Sequence, residues 1–377
     1  MVQAAAKNRE EKRILPVFYH HLDPTKIPSN HAMDVEILPT DTVDTITRAL
    51  LCVEGLYNLT TFPLGSHSDL WERVWPWAQF LDVHRSRIAD APTEDLLRAR
   101  VFCIVVNGDH ATTIGTPEIA ILAAQVWGGY FREPNATSEM ALRRLIVFFR
   151  SGNEYSLDQF IEGAGSIDAL AILVVQLVHY LLKYGSVPQF AAGALGSVII
   201  FLKRFKHNAW LSALQSHKFI SAMISVLLFV EPHIEGSTEQ RLYQGLYEQT
   251  WLNCFPLAAL DSGYTGVVEA VNAGIIQLIA SVVGRNLKWT EASILEMISF
   301  VQPATVYYPV LAAIERTLPL THESTSMPAF SSSALYPAWQ EFVCVVLHRL
   351  EIKTKFDSGE HIARRACDNL EVNMFQC

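Results

Sequence analysis

Two cysteines ten residues apart, Cys367 and Cys377, lie in RRACDNLEVNMFQC, the stretch with which the sequence ends. Thiolates are the ligands zinc takes in structural sites, where four donors close a tetrahedral shell. Two thiolates leave that shell half filled. The nearby nitrogen donor is His361, and with a partner chain it could supply the rest. The pair therefore reads as remnant ligands of a site that is begun and not finished. No cofactor is expected, and zinc only if the site is completed elsewhere.

Other chemistry-bearing patterns are missing. The sequence holds no phosphate-cradling GxxxxGK[ST], no GxSxG elbow and no HExxH helix. GAGS at 163–166 and GALGS at 193–197 lack the spacing of a phosphate loop, so helix starts and close helix packing account for them. His20 and His21 sit in a polar arm, and His179 lies among apolar residues as a core histidine. Cys52, Cys103, Cys254 and Cys344 fall inside apolar patterns and read as buried thiols in a reducing compartment. The chain is expected not to be an enzyme.

Charge and hydropathy narrow the partners. The formal net charge of −9 argues against nucleic acid, whose phosphates need a basic face. The densest basic run, Lys203, Arg204, Lys206 and His207, complements a helix C-terminus. No secretory signal is visible behind the charged run Lys7 to Arg13, so the cytoplasm or nucleus is expected and the sequons at Asn58 and Asn135 carry little weight. The most apolar stretches are 166–182, which carries Asp168, Gln176 and His179, and 190–202, which is shorter than the ~20 residues of a membrane span. Both read as buried core helices, and no membrane partner is expected.

Half of the residues are apolar and 18% are charged, which supplies a large core. Helix starts follow one another along the chain. Thr40–Asp41, Ser68–Asp69 and Thr93 offer caps, and Pro117 stands at a first helical position, where its missing N–H costs nothing. Further starts fall at Ser138, Ser156, Ser166, Ser237 and Thr290, with stops at Gly185 and Gly284. Alternation of period two is nowhere sustained, so the fold is all-α. Leu70, Val74, Trp77 and Leu81 form one stripe, while Trp71, Trp75 and Phe80 make the neighbouring faces apolar too. A helix apolar on most sides is sandwiched between others, so WERVWPWAQFL is expected wholly in the core, with a kink at Pro76.

A degenerate repeat points to stacked layers. VVEAVNAGIIQLIASVV (267–283), QFIEGAGSIDALAILVV (159–175) and, more loosely, ALQSHKFISAMISVLLF (213–229) each place small residues before an apolar helical run. Their anchors Ile167, Ile220 and Ile276 lie 53 and 56 residues apart. The phrase EAVNAGIIQLI resembles the third helix of armadillo repeats, which implies an α-solenoid.

The ending resembles a MYND-type zinc finger of large families in mushroom-forming (basidiomycete) fungi. There a helical region rich in WPW-like phrases precedes the finger, as ERVWPWAQFLD (72–82) does here. The family's finger opens C-D-N-x-x-C; Cys367, Asp368 and Asn369 match it, and Val372 stands where the second cysteine is expected. Phe375–Gln376–Cys377 resembles the arrival at the third ligand over a shortened linker. Intact fingers of this type bind short proline-containing peptides, and this one is expected not to. Nothing here resembles the β-rich SET core found with some MYND fingers.

These observations predict a flexible arm (1–35), an armadillo/HEAT-like α-solenoid with irregular repeats (36–320), a linker (321–336), one further helix (337–356) and a finger remnant (357–377). The expected function is a non-catalytic protein-interaction scaffold with an unknown protein partner. A scaffold predicts a shallow groove of aromatic and polar side chains, whereas an enzyme predicts a deep pocket of clustered, perturbed titratable groups.

Overall fold

The computed structural model describes residues 13–59, 62, 66–88, 91–106, 116–150, 155–184, 188–205, 207–233, 240–259, 264–285, 291–326 and 329–359. Every regular element among them is helical, and the fold is all-α and solenoid-like. Cys367, Cys377, His361 and Val372 lie outside the described residues, as do Ser237, Thr290 and Gly185.

The chain forms two compact units: Met1–Val174 with Ile200–Phe205, and Val175–Ile199 with Lys206–Cys377. In the first are α1 (Thr40–Tyr57), α2 (Ser66–Val83), α3 (Glu94–Val105), α4 (Pro117–Arg132), α5 (Ala136–Arg150), α6 (Leu157–Ala164) and the start of α7 (Ile167–Tyr184). The end of α8 (Pro188–Lys203) returns to it. Helix α3 packs against α1, α2, α4 and α5, and it buries Leu97, Ala99 and an unbroken run from Val101 to Val105. Burial on all sides is why its sequence shows no clean stripe. Helix α4 packs in turn on α5 and α6. The α4–α6 approach is so close that a Cβ on Gly163 would collide with the Ile121 carbonyl oxygen, which explains the first glycine of GAGS by packing. Trp127, Phe149, Phe160, Phe201 and Phe205 form an aromatic cluster in this unit, with Phe149 and Phe201 centroids 4.6 Å apart.

The second unit holds α9 (Asn208–Ser216), α10 (Phe219–Val230), α11 (Gln240–Ala259), α12 (Thr265–Asn272), α13 (Ile275–Arg285), α14 (Glu291–Ala304), α15 (Tyr308–Thr317) and α16 (Tyr336–Asp357). Helix α10 packs on α11 and α12, α12 on α15, and α16 on α14 and α15. Lys353 ties α16 down: it bridges Glu315 at 3.0 Å and Asp357 at 2.7 Å, with its ammonium 5.0 Å above the Tyr308 ring.

The repeat read from the sequence is a recurring bent pair. A short helix meets a longer one at 89° for α6–α7, 73° for α9–α10 and 60° for α12–α13. Each break contains one residue in the left-handed region: Gly165 (φ 91°), Lys218 (φ 62°) and Gly274 (φ 106°). Two of the three are glycine, the residue that adopts this conformation without steric cost. The anchors Ile167, Ile220 and Ile276 fall on the first or second residue of the second helix. No single helix among the described residues is long and apolar enough to cross a membrane, although the three bent pairs reach that length and composition together.

Several local expectations differ. Residues 13–21 are helical, and Leu15, Phe18, Leu22 and Met33 are buried, so described residues of the expected arm contribute to a core. Phe330, Ser333 and Leu335 of the expected linker are likewise buried. Helix α1 begins at Thr40 after Pro39 without a side-chain cap, and α2 begins two residues before Ser68. Before α5, Asn135 Oδ1 accepts from the Ser138 N–H at 2.9 Å while Ser138 Oγ accepts from the Asn135 N–H at 2.8 Å. Asn135 therefore caps where Ser138 was expected to. Helix α2 continues through Pro76, and α13 through Gly284 to Arg285. Thr93 caps α3, and Ser156 with Gln159 forms a capping box on α6, as the sequence predicts.

Candidate functional site

Cys367, Cys377 and His361, where the sequence placed chemistry, lie outside the described residues. Among the described residues no group of three or more His, Cys, Asp or Glu side chains is placed to hold a metal. His179 is exposed on α7 in a strip with Asp168, Ile172 and Gln176; it is not a core histidine. The amphipathic period hides there because the strip is a single residue wide.

Burial pushes the Cys103 thiol up to about 12, against the opposing pull of the Arg144 guanidinium, and the Cys52 thiol up to about 11. Neither is a thiolate near neutral pH. Cys344, expected to be buried, is exposed on α16. Its apolar neighbours in sequence misled, because Val343 and Leu347 are themselves part-exposed or exposed.

One concavity among the described residues combines several kinds of recognition group; it lies within the first unit, between α2, α3 and α4. Its volume is about 280 Å³. Leu97 and Val101 of α3, with Ala78 of α2, are buried and give it an aliphatic floor. Trp75 forms one wall. The sequence predicts a buried WERVWPWAQFL, and Trp71 and Trp77 are buried, but Trp75 is half-exposed. Its indole stacks on Trp71 with centroids 4.7 Å apart and planes 12° off parallel. Stacking on a buried ring fixes the orientation of an exposed one at little entropic cost. Val83, 75% exposed, stands at the rim.

The charges around the groove are mutually committed. Asp82 accepts from Arg85 at 2.9 Å and from Arg98 at 3.1 Å. Glu94, at the start of α3, takes Arg85 at 3.1 Å and is also paired with Arg98. Two cations and two anions thus alternate around a closed, electrically neutral ring joining α2 to α3.

Two carboxamides in the groove are not committed in this way. Gln79 is exposed on α2 and has no hydrogen-bond partner among the described residues. Gln125 on α4 holds a buried side-chain oxygen that no donor reaches. Leaving such an oxygen unpaired costs about 1–3 kcal/mol. Sequence reasoning missed both residues. The only signal was the polar type of Gln125 within an otherwise apolar run of α4, which alone marks nothing.

No protein-family model, no curated protein and no solved structure matches the chain.

Proposed function

We propose that this protein is a non-catalytic protein-interaction scaffold of the kind whose helical region accompanies a MYND-type finger, with Cys367 and Cys377 as the residues that resemble finger ligands. The partner is another protein, and neither nucleic acid, membrane nor a resident metal is part of the reading. One observation carries it: the groove between α2, α3 and α4 offers an oriented, half-exposed indole and two amides, while its acid and its base are locked in ion pairs. General acid–base work needs a titratable group able to exchange a proton with substrate. Recognition needs a rigid aromatic anchor and polar groups around it, which is what the groove supplies.

The test is reciprocal co-purification followed by direct binding. A protein that captures this chain, is captured by it, and binds the purified chain with a measurable Kd is the expected result. A purified chain that binds none of its co-purifying proteins directly, or that turns over a component of a metabolite mixture, refutes the reading.

A further inference from the structure

The groove's chemistry also bears on which part of a partner it takes, an inference that rests on the scaffold reading. Its charged residues form a ring of two arginines and two carboxylates, each paired twice. An incoming charged side chain would have to displace one member of that ring or lie beside it uncompensated, and both are costly at a partly desolvated wall. The ring therefore selects against charge. What remains open to a ligand is uncharged: the Trp75 ring, the aliphatic floor and the carboxamide of Gln79, with Gln125 also lining the groove although its oxygen is buried in this conformation.

A carboxamide both donates and accepts, so its natural complement is another amide. The two glutamines line the groove from different helices, α2 and α4. The space of about 280 Å³ equals that of about nine waters at roughly 30 Å³ each. That is room for one bulky side chain and the short stretch of backbone that carries it.

We infer that the groove binds an extended, uncharged segment of a partner protein, whose backbone amides pair with Gln79 and Gln125 and whose one bulky apolar side chain lies against Trp75. The backbone amide supplies a donor to Gln125, whose carboxamide turns about its last torsion to meet it. Main-chain pairing gives affinity, and the Trp75 contact gives selectivity for one apolar position.

A phage-displayed random heptapeptide library panned on the full chain tests this, with synthetic copies of the enriched peptides titrated by tryptophan fluorescence. Uncharged sequences with one bulky apolar residue are expected. Their Kd should weaken about tenfold for Trp75→Ala and about fivefold for Gln79→Ala or Gln125→Leu. N-methylation of one peptide amide should weaken binding by at least as much, and salt should change it little. Gln79 is exposed, so Gln79→Ala leaves the fold intact and keeps the test valid if Trp75→Ala unfolds. Peptides that need Arg, Lys, Asp or Glu, or a library that yields no binder, would overturn the inference. Peptides that bind equally to all three variants would overturn it too, while leaving the scaffold reading standing on another surface.

Discussion

The three helix breaks make a matched experiment on backbone strain. Gly165, Lys218 and Gly274 occupy equivalent places in the bent pairs, and all three have positive φ. An L-residue with a Cβ carries a penalty of roughly 1–2 kcal/mol there. Glycine escapes it but leaves the unfolded chain freer, which costs about 0.4–1 kcal/mol. For Lys218→Gly the balance is a gain of about 0.5–1 kcal/mol, since the Lys218 side chain is exposed and no packing is lost. For Gly165→Ala the same terms reverse sign, because a Cβ there meets nothing within 4 Å and only the backbone conformation matters. A loss of about 0.5–1 kcal/mol is expected. Gly274→Ala should lose at least as much, because it carries the same backbone penalty and its Cβ would come 3.2 Å from Leu228 Cδ1. Urea unfolding followed by circular dichroism at the helical band reads all three as shifts in midpoint at constant slope. The reasoning fails if Lys218→Gly is neutral or destabilising while Gly165→Ala is neutral or stabilising. Either pair of signs would mean that these residues do not hold the left-handed conformation in solution.

Trp77→Ala should destabilise by about 3–5 kcal/mol, since Trp77 is fully buried, and Trp75→Ala by less than half of that; equal losses in denaturant titrations would place Trp75 back in the core. Cys344→Ser should remove one equivalent of the thiol that reacts rapidly with a disulfide reagent, whereas Cys52→Ser and Cys103→Ser should not. The two buried thiols have raised folded values, so their neutral burial stabilises fully below the ordinary thiol value of 9.0 and is lost as pH climbs towards about 12. A melting temperature that is flat from pH 9 to the onset of chemical damage would contradict that sign. After dialysis against a mild chelator the chain should hold far less than stoichiometric zinc, and a chain ending at Arg365 should melt at the same temperature. Near-stoichiometric metal together with a lower melting temperature on shortening would mean that His361 or a second subunit completes the site.

What could be read from the sequence was local. Thr93, Ser156 and Pro117 announce their helices because capping depends on residues within one turn. The repeat was legible at Ile167, Ile220 and Ile276 because a break followed by a buried helix repeats the same short-range demand. The groove was not legible. Trp75 differs from Trp71 and Trp77 only in which helices stand opposite it, and apolar type carries no information about that. Gln125 sits beside Asp82 and Arg98 through the packing of three helices, a long-range arrangement with no spacing rule along the chain. Cys344 and His179 misled for the converse reason: apolar neighbours in sequence do not guarantee cover in space.

The division of the chain between its two units bears on how it is made. The first unit leaves off at Val174 and resumes only at Ile200–Phe205, after 25 residues that belong to the second. Phe201 and Phe205 are part of the aromatic cluster around Phe149 and Phe160. On the ribosome, chains fold from the N-terminus as they emerge, at about 5–20 residues per second. The nascent first unit therefore presents an open aromatic socket until residue 205 has cleared the exit tunnel, and by then a stretch of the second unit is already outside. A chain cut between 174 and 200 would lack Phe201 and Phe205, and with them part of the first unit's aromatic cluster.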